Sequence, residues 1–346
     1  MIYFNSDYLE GAHPSIMVKM AETNMVQTVG YGEDEYCEAA REKIKAACQA
    51  PEADVHFLVG GTQTNTTVIA AILRPWQGVI SAVSGHINCH EAGAIESTGH
   101  KVITLPTDNG KITAQQVADY VEWHKNDEST EHIVQPGMVY ISHPTEAGTL
   151  YTKAELTELY DTCRRYGLPL FIDGARLGYG LAAEESDMTL PEFARLCDVF
   201  YIGGTKVGAL FGEAVVIMNE SIKKDFRFIM KQRGGRLAKG RLLGIQFDAL
   251  FTDDLYFKIS RHAIEMAHQI RDIFVSAGYP LLFDSPTNQQ YPIMPDAELA
   301  EIGKSFGYEY WERVDETHSG VRFCASWATT QENVDALREA VNALKK

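Results

Sequence analysis

Short apolar runs recur through the first two thirds of the chain, and stretches of helical period separate them. Residues 55–59, 79–83, 101–105, 138–142, 169–172 and 199–202 are apolar almost without alternation, the pattern of strands buried on both faces. The helix expected over residues 34–49 carries Tyr36, Ala40, Ile44 and Ala47 on one face. Thr113…Gln116, Thr152…Glu155 and Thr189…Glu192 have the spacing of capping boxes, each opening a helix between two strands. Repeated strand–helix units of this length predict a mainly parallel α/β sheet covered on both faces. Residues 213–218 follow the last of these strands after a loop too short for a crossover, which predicts one antiparallel strand. The first thirty residues show no clear period and are expected to form an irregular arm.

Beyond Asn219 the pattern changes. Helices are expected over 220–230, 238–251 and 254–276, the last ending at Gly278. Short strands follow at 280–283, 290–294, 308–313 and 321–325, with a helix at 296–306 between them. A final helix opens at Thr329-Thr330-Gln331-Glu332. This predicts a large domain, 1–250 including the arm, and a smaller C-terminal α+β domain, 251–346.

Composition narrows the function. With 346 residues, 45% hydrophobic and 23% charged, the chain has the make-up of a globular protein with a large core. Its net charge of −16 opposes binding to nucleic acid or to an anionic membrane surface. The apolar stretch 196–218 is interrupted by Asp198, Lys206 and Glu213, which makes it a poor membrane span. Six cysteines lie scattered without a C-x-x-C pair, so neither a disulfide framework nor a metal site is expected. The start, MIYFNSDYLE, carries acid where a secretion signal needs basic charge. A soluble, reduced, cytoplasmic protein is expected.

The chemistry concentrates at two strand ends. The run 169–172 leads into Asp173, with Arg176 just beyond; the run 199–202 leads into Gly203-Gly204-Thr205-Lys206. One strand–helix–strand crossover separates Asp173 from Lys206, so both are expected at the carboxyl edge of one sheet, where α/β proteins bind ligands. Pyridoxal phosphate needs this pair: a lysine for its aldehyde and an acid for its ring nitrogen. Taken singly, Asp173 is equally a turn cap and Lys206 a surface lysine. Gly60-Gly61-Thr62 lies between a strand and a helix, either as a phosphate cradle of backbone N–H groups or as a plain turn. His86 ends another strand, as a ring to stack on a planar cofactor or as a structural histidine. His90 and Glu91 are expected on the surface of a short helix over 89–97. Arg322 sits inside an apolar strand and needs a carboxylate partner, from the protein or from a substrate. Eight Lys and Arg residues between 223 and 241 form either a solvated face or an anion site.

These residues resemble those of the threonine aldolase / beta-eliminating lyase family of pyridoxal-phosphate enzymes. The resemblance runs over nearly the whole chain. It is carried by Asn5-Ser6-Asp7, Gly30-Tyr31-Gly32-Glu33-Asp34, Gly61-Thr62-Gln63-Thr64-Asn65, Ser84-Gly85-His86, Asp173-Gly174-Ala175-Arg176, Thr205-Lys206 and Val321-Arg322. It implies the aspartate-aminotransferase-like fold, whose large domain has a seven-stranded, mainly parallel sheet. It further implies that Lys206 bonds the cofactor aldehyde, Asp173 pairs with the ring nitrogen and His86 stacks on the ring. By the same resemblance Gly61, Thr62 and Thr205 hold the phosphate, and Ser6, Arg176 and Arg322 hold the substrate carboxylate. A homodimer or homotetramer with the active site at the interface is implied as well. The chain departs from the family in Thr205, where a serine is usual, and in His143-Pro144-Thr145-Glu146, where an Asn-Thr-His-Asn run is usual. It departs also at Ala238, where an arginine is expected; these changes bear on substrate preference.

The implied reaction is cleavage of threonine or allo-threonine to glycine and an aldehyde. Its base would be His86, a water held by it, or His143. The alternatives are beta-elimination or transamination on the same cofactor, a nucleotide-dependent oxidoreductase, and a silent binding protein.

Overall fold

A computed structural model describes residues 1–345. Strand β1 is Ile2–Tyr3, β2 Asp54–Leu58, β3 Gln77–Ala82, β4 Val102–Leu105, β5 Gln135–Ser142, β6 Leu170–Asp173, β7 Val199–Gly203 and β8 Glu213–Ile217. From β2 onward they form one seven-stranded sheet in the order β2-β8-β7-β6-β5-β3-β4. β3 to β7 are parallel, and β8 runs antiparallel to both β7 and β2, as the short loop before it requires.

The sheet is covered on both faces because its strands are apolar on both. Along β6 and β7 successive side chains alternate between two cores. Ile172 and Phe200 enter one, with Ile44 and Phe247; Phe171 and Tyr201 enter the other, with Val68 and Met138. The three capping boxes are all formed. Each such cap stabilises its helix by about 1 kcal/mol.

In the C-terminal part, β9 is Gln289–Gln290, β10 Ile293–Pro295, β11 Phe306–Gly307, β12 Glu309–Arg313 and β13 His318–Cys324. β13 pairs with β9, β10 and β12. Its Val321 and Phe323 pack on Ile270 and Phe274 of the helix Leu255–Ser276, forming a third core. The N-terminus joins this unit: β1 pairs with β11, and Phe4 is buried in the same core.

Several local expectations are corrected. The arm is not irregular throughout, since helix α1 spans Pro14–Thr23. Only Ile16 of α1 is buried, so no periodic stripe advertises it. The next helices follow expectation: α2 is Glu35–Cys48 and α3 Gly61–Ile72. The helix expected over 89–97 is instead α4, His86–Cys89, followed by a reversal in which Ala92 and Gly93 take positive φ. The helix expected over 220–230 breaks at Asp225, also at positive φ, into Glu220–Lys223 and Phe226–Gln232. The segment 280–283 makes only an isolated pairing of Leu281 with Pro292, and the helix expected over 296–306 stops at Ile302.

The basic segment 223–241 lies partly against the Gly30–Asp34 turn. Arg227 and Arg236 pair with Glu33, and the Lys231 amine lies 4.6 Å from the centre of the Tyr31 ring. No helix among the described residues is long and apolar enough to cross a membrane.

Candidate active site

Asp173 and Lys206 leave the same edge of the sheet from neighbouring parallel strands. Ile172 is opposite Phe200, and the Gly203 N–H donates to the Gly174 carbonyl at 2.9 Å. This closeness depends on two glycines. A Cβ on Gly174 would lie 1.9 Å from the Tyr201 carbonyl oxygen, and one on Gly203 would lie 2.2 Å from that of Ala175. With any side chain there, the loops carrying the acid and the amine would be pushed apart.

Four donors hold the buried Asp173 carboxylate. Tyr201 and Tyr140 donate their hydroxyls at 2.5 and 2.6 Å, the Ala175 N–H donates at 3.0 Å and the Asn65 amide at 3.1 Å. Burial alone would raise its pKa; the charge of His86 and the donated hydrogen bonds outweigh burial and hold it below the usual carboxylate range. Asp173 is therefore an anion deep in the protein.

Asn65 also donates to Glu91, at 2.7 Å, and Glu91 accepts from Nδ1 of His86 at 2.8 Å. The run Asp173–Asn65–Glu91–His86 is thus one connected network. Glu91, expected on a helix surface, is buried, because the reversal at Ala92-Gly93 turns it inward. Its carboxylate can only accept, so it fixes the proton on Nδ1 of His86. Burial works to lower the His86 pKa, but the Glu91 bond and the Asp173 charge raise it above 6.5 overall. A pKa raised on folding adds stability in full below the unfolded value, and this is lost as pH rises through the folded value. Glu91→Gln is therefore expected to lower the His86 pKa and to destabilise the protein more near about pH 5 than near about pH 8.5. Thermal melts and imidazole NMR read both; an equal loss at the two pH values would contradict the pairing.

His86 and Lys206 line a cavity of about 230 Å³ together with Tyr8, Glu146, Arg176 and Arg322. The Lys206 amine makes no hydrogen bond or ion pair among the described residues. Burial and then Arg176 lower its pKa, against Asp7, Asp173 and Glu213. A lowered amine is a better nucleophile at neutral pH.

The arginines are both engaged. Arg176 grips the buried Asp7 with Nε and Nη2, at 2.7 and 3.0 Å. Nη1 is its one nitrogen without a hydrogen bond among the described residues. Arg322 donates to Gln289 at 3.0 Å and pairs with Glu309, a half-exposed carboxylate at the cavity. Ser6 is buried, with a hydroxyl that has no partner among the described residues. Gly61 and Thr62 open helix α3, whose N-cap Gly60 offers no side-chain cap, so the N–H groups of Gly61 and Thr62 have no partner among the described residues. The Thr205 hydroxyl donates to the buried Glu213 at 3.0 Å and accepts from the Gly212 N–H at 2.9 Å.

His143 is not at the site. It is buried between Phe193 and Tyr151, both ring nitrogens lack partners among the described residues, and burial followed by the Lys111 charge pushes its pKa down to about 4. It is excluded as the base by position.

Residues 4–339 match the family described as beta-eliminating lyase. The chain belongs to this family. It is 28% identical over 337 residues to a low specificity L-threonine aldolase of Pseudomonas aeruginosa, covering 96% of this chain and 95% of the relative. A solved structure of Leishmania major threonine aldolase superposes with a TM-score of 0.97 at 42% identity, covering 100% of both chains. A Thermus thermophilus aspartate aminotransferase shares the fold alone, with a TM-score of 0.72 at 14% identity over 99% of this chain and 91% of that one.

Members of this family are pyridoxal-phosphate-dependent lyases, and the residues here fit that cofactor. Lys206 is an unengaged amine, Asp173 an anion able to keep a pyridine nitrogen protonated, and the start of α3 a free set of N–H donors for a phosphate. Asp173 already accepts four hydrogen bonds, as many as a carboxylate has lone-pair sites. A fifth donor must replace one, and Asn65, the longest at 3.1 Å, is the most easily replaced.

Proposed function

We propose that this enzyme cleaves a β-hydroxy-α-amino acid, threonine or allo-threonine, to glycine and an aldehyde. The observation that carries this is the convergence of Lys206, His86, Arg176 and Arg322 on one cavity, with Asp173 joined to His86 behind it. When bound, pyridoxal phosphate supplies an aldehyde that takes up an amine and a protonated ring that withdraws electrons from the substrate's Cα.

The protein's own groups do the rest. Lys206 is the cofactor's point of attachment and Asp173 the partner of the ring nitrogen. His86, held by Glu91, presents a fixed ring to stack on. The N–H groups of Gly61 and Thr62 take the phosphate; Thr205 joins them only by giving up its bond to Glu213. The pairing of Arg322 with Glu309 supports reading that guanidinium as a carboxylate site, where a substrate carboxylate replaces Glu309. Arg176 adds Nη1 to the clamp while Asp7 keeps it in place; the Ser6 hydroxyl is sealed and does not line the cavity, so it joins the clamp only by turning toward it. Holding the carboxylate fixes the torsion about Cα, and so decides which bond of Cα is weakened.

Two coarser features belong to this reading. Met17, Val18, Met25, Val29 and Tyr31 are all exposed apolar side chains between positions 17 and 31, which supports a homo-oligomer. All six cysteines are free and five are buried, which suits a reducing cytoplasm. The division near residue 251 is supported by the separate C-terminal core, with β1 and Phe4 as the N-terminal contribution to it.

The test is incubation of the cofactor-loaded protein with each threonine isomer, scoring acetaldehyde and glycine, with sedimentation alongside. Aldehyde release without any keto acid, from a particle heavier than one chain, is the expected result. Products formed only when a keto acid is added would favour transamination instead.

A further inference from the structure

One carboxyl at the cavity has no part in the roles above. Glu146 follows β5 in the turn after the cis His143–Pro144 bond and lines the same space as His86 and Lys206. Its position is fixed three times. The Ser142 hydroxyl donates to Oε1 at 2.6 Å, the His86 backbone N–H donates to the same oxygen at 2.9 Å, and the Tyr291 hydroxyl donates to the Glu146 carbonyl at 2.6 Å. Oε2 makes no hydrogen bond among the described residues and is not sealed from the cavity. One oxygen is anchored and the other is open to whatever occupies the cavity.

We propose that Glu146 is the base that takes the proton from the substrate's β-hydroxyl. The inference rests on the aldol-cleavage reading above. Retro-aldol cleavage needs a proton acceptor at the hydroxyl, beyond the carboxylate clamp and the amine. His86 gives its Nδ1 proton to Glu91 and its ring face to stacking, and the upward shift of its pKa favours the ring with Nε2 protonated, which cannot accept a proton; His143 is outside the cavity. Glu146 offers a free oxygen on a carboxyl that is otherwise immobilised.

In the step, Oε2 takes the hydroxyl proton and the O–H electron pair becomes the second bond of the aldehyde C=O. The Cα–Cβ bond breaks, and its pair stays with the glycine half, which takes up one proton at Cα. One proton leaves and one returns, so the step needs no oxidant or reductant.

The charged groups around Glu146 are His86, Lys206, Arg176 and Arg322, with Asp173 and Glu309 opposing them. Burial raises the Glu146 pKa, the Ser142 bond opposes that, and the net shift is upward. An upward shift makes the ionised form a stronger base than a solvated carboxylate.

Glu146→Gln keeps the shape and an acceptor for Ser142 and His86. Threonine cleavage is expected to fall by about 10²- to 10⁴-fold in kcat. Exchange of the glycine α-proton with deuterium oxide, which involves no hydroxyl, is expected to fall far less. The visible absorption of the bound cofactor should persist. Equal losses in cleavage and exchange, or loss of that absorption, would overturn the assignment. Ser142→Ala gives a second reading that leaves Glu146 in place. It removes a hydrogen bond to the ionised carboxylate, so the acid limb of kcat for cleavage should move to higher pH. An unmoved limb would also overturn the assignment. A wild-type enzyme that releases no aldehyde overturns the underlying reading. A wild-type that cleaves threonine no faster than Glu146→Gln overturns the role of Glu146 alone.

Discussion

Lys206→Ala is expected to abolish the yellow colour of the purified protein and to lower aldehyde release by at least about 10³-fold. The amine has no structural partner among the described residues, so its removal leaves no orphaned acceptor, and the thermal midpoint of the cofactor-free protein should hardly move. That combination separates a chemical role from a structural one. Lys206 sits on the loop that Gly203 allows to close against Ala175, and its charge is disfavoured by burial and by Arg176. A structural lysine in such surroundings would need a carboxylate within hydrogen-bond reach, and none holds it among the described residues. Retained colour and retained activity in the variant, measured by absorption and by aldehyde trapping, would remove Lys206 from the site.

Asp173→Asn should be nearly as damaging, for a different reason. The amide has the carboxylate's shape but only one accepting oxygen, so one of the two buried hydroxyls, Tyr140 or Tyr201, loses its acceptor. An unsatisfied buried group of this kind costs about 1–3 kcal/mol. The thermal midpoint should therefore fall even without cofactor. The larger effect is on turnover. Without the buried anion nothing keeps the pyridine nitrogen protonated, and removal of one preorganised electrostatic partner lowers kcat by about 10²- to 10³-fold. Cofactor affinity, read by equilibrium dialysis, should weaken in parallel. Turnover unchanged in the face of reduced stability would show that Asp173 only organises the tyrosines.

The residues that could be read without coordinates share one property: their signal is local. Continuous apolar runs marked β3 to β7, and a loop too short for a crossover marked β8 as antiparallel. Thr-x-x-Gln and Thr-x-x-Glu marked three helix starts. Asp173 and Lys206 were legible because each ends an apolar run, and the topology of such runs brings their ends to one edge. The carboxyls that finish the site carry no such mark. Glu91 reads as helix surface until Ala92 and Gly93 turn the chain, and Glu146 lies in a turn with no period at all. Asp7 gives no hint that it is to hold Arg176, its partner across 169 positions. Helix α1 carries no periodic signal because it buries one side chain and exposes Met17 and Val18.

The amino-acid sequence alone thus determined the layered α/β architecture, the antiparallel strand, and the placing of an acid and an amine at one edge of the sheet. Those follow from hydrophobic period and backbone stereochemistry, which act over a few residues. Only the tertiary structure decided which charges are paired and which are open. It gave Arg176 to Asp7, placed Glu309 on Arg322, buried Glu91 against His86, removed His143 from the cavity and left one oxygen of Glu146 facing it. A charged side chain tolerates burial only when distant segments deliver its partners, and those partners are set by the packing of the whole chain.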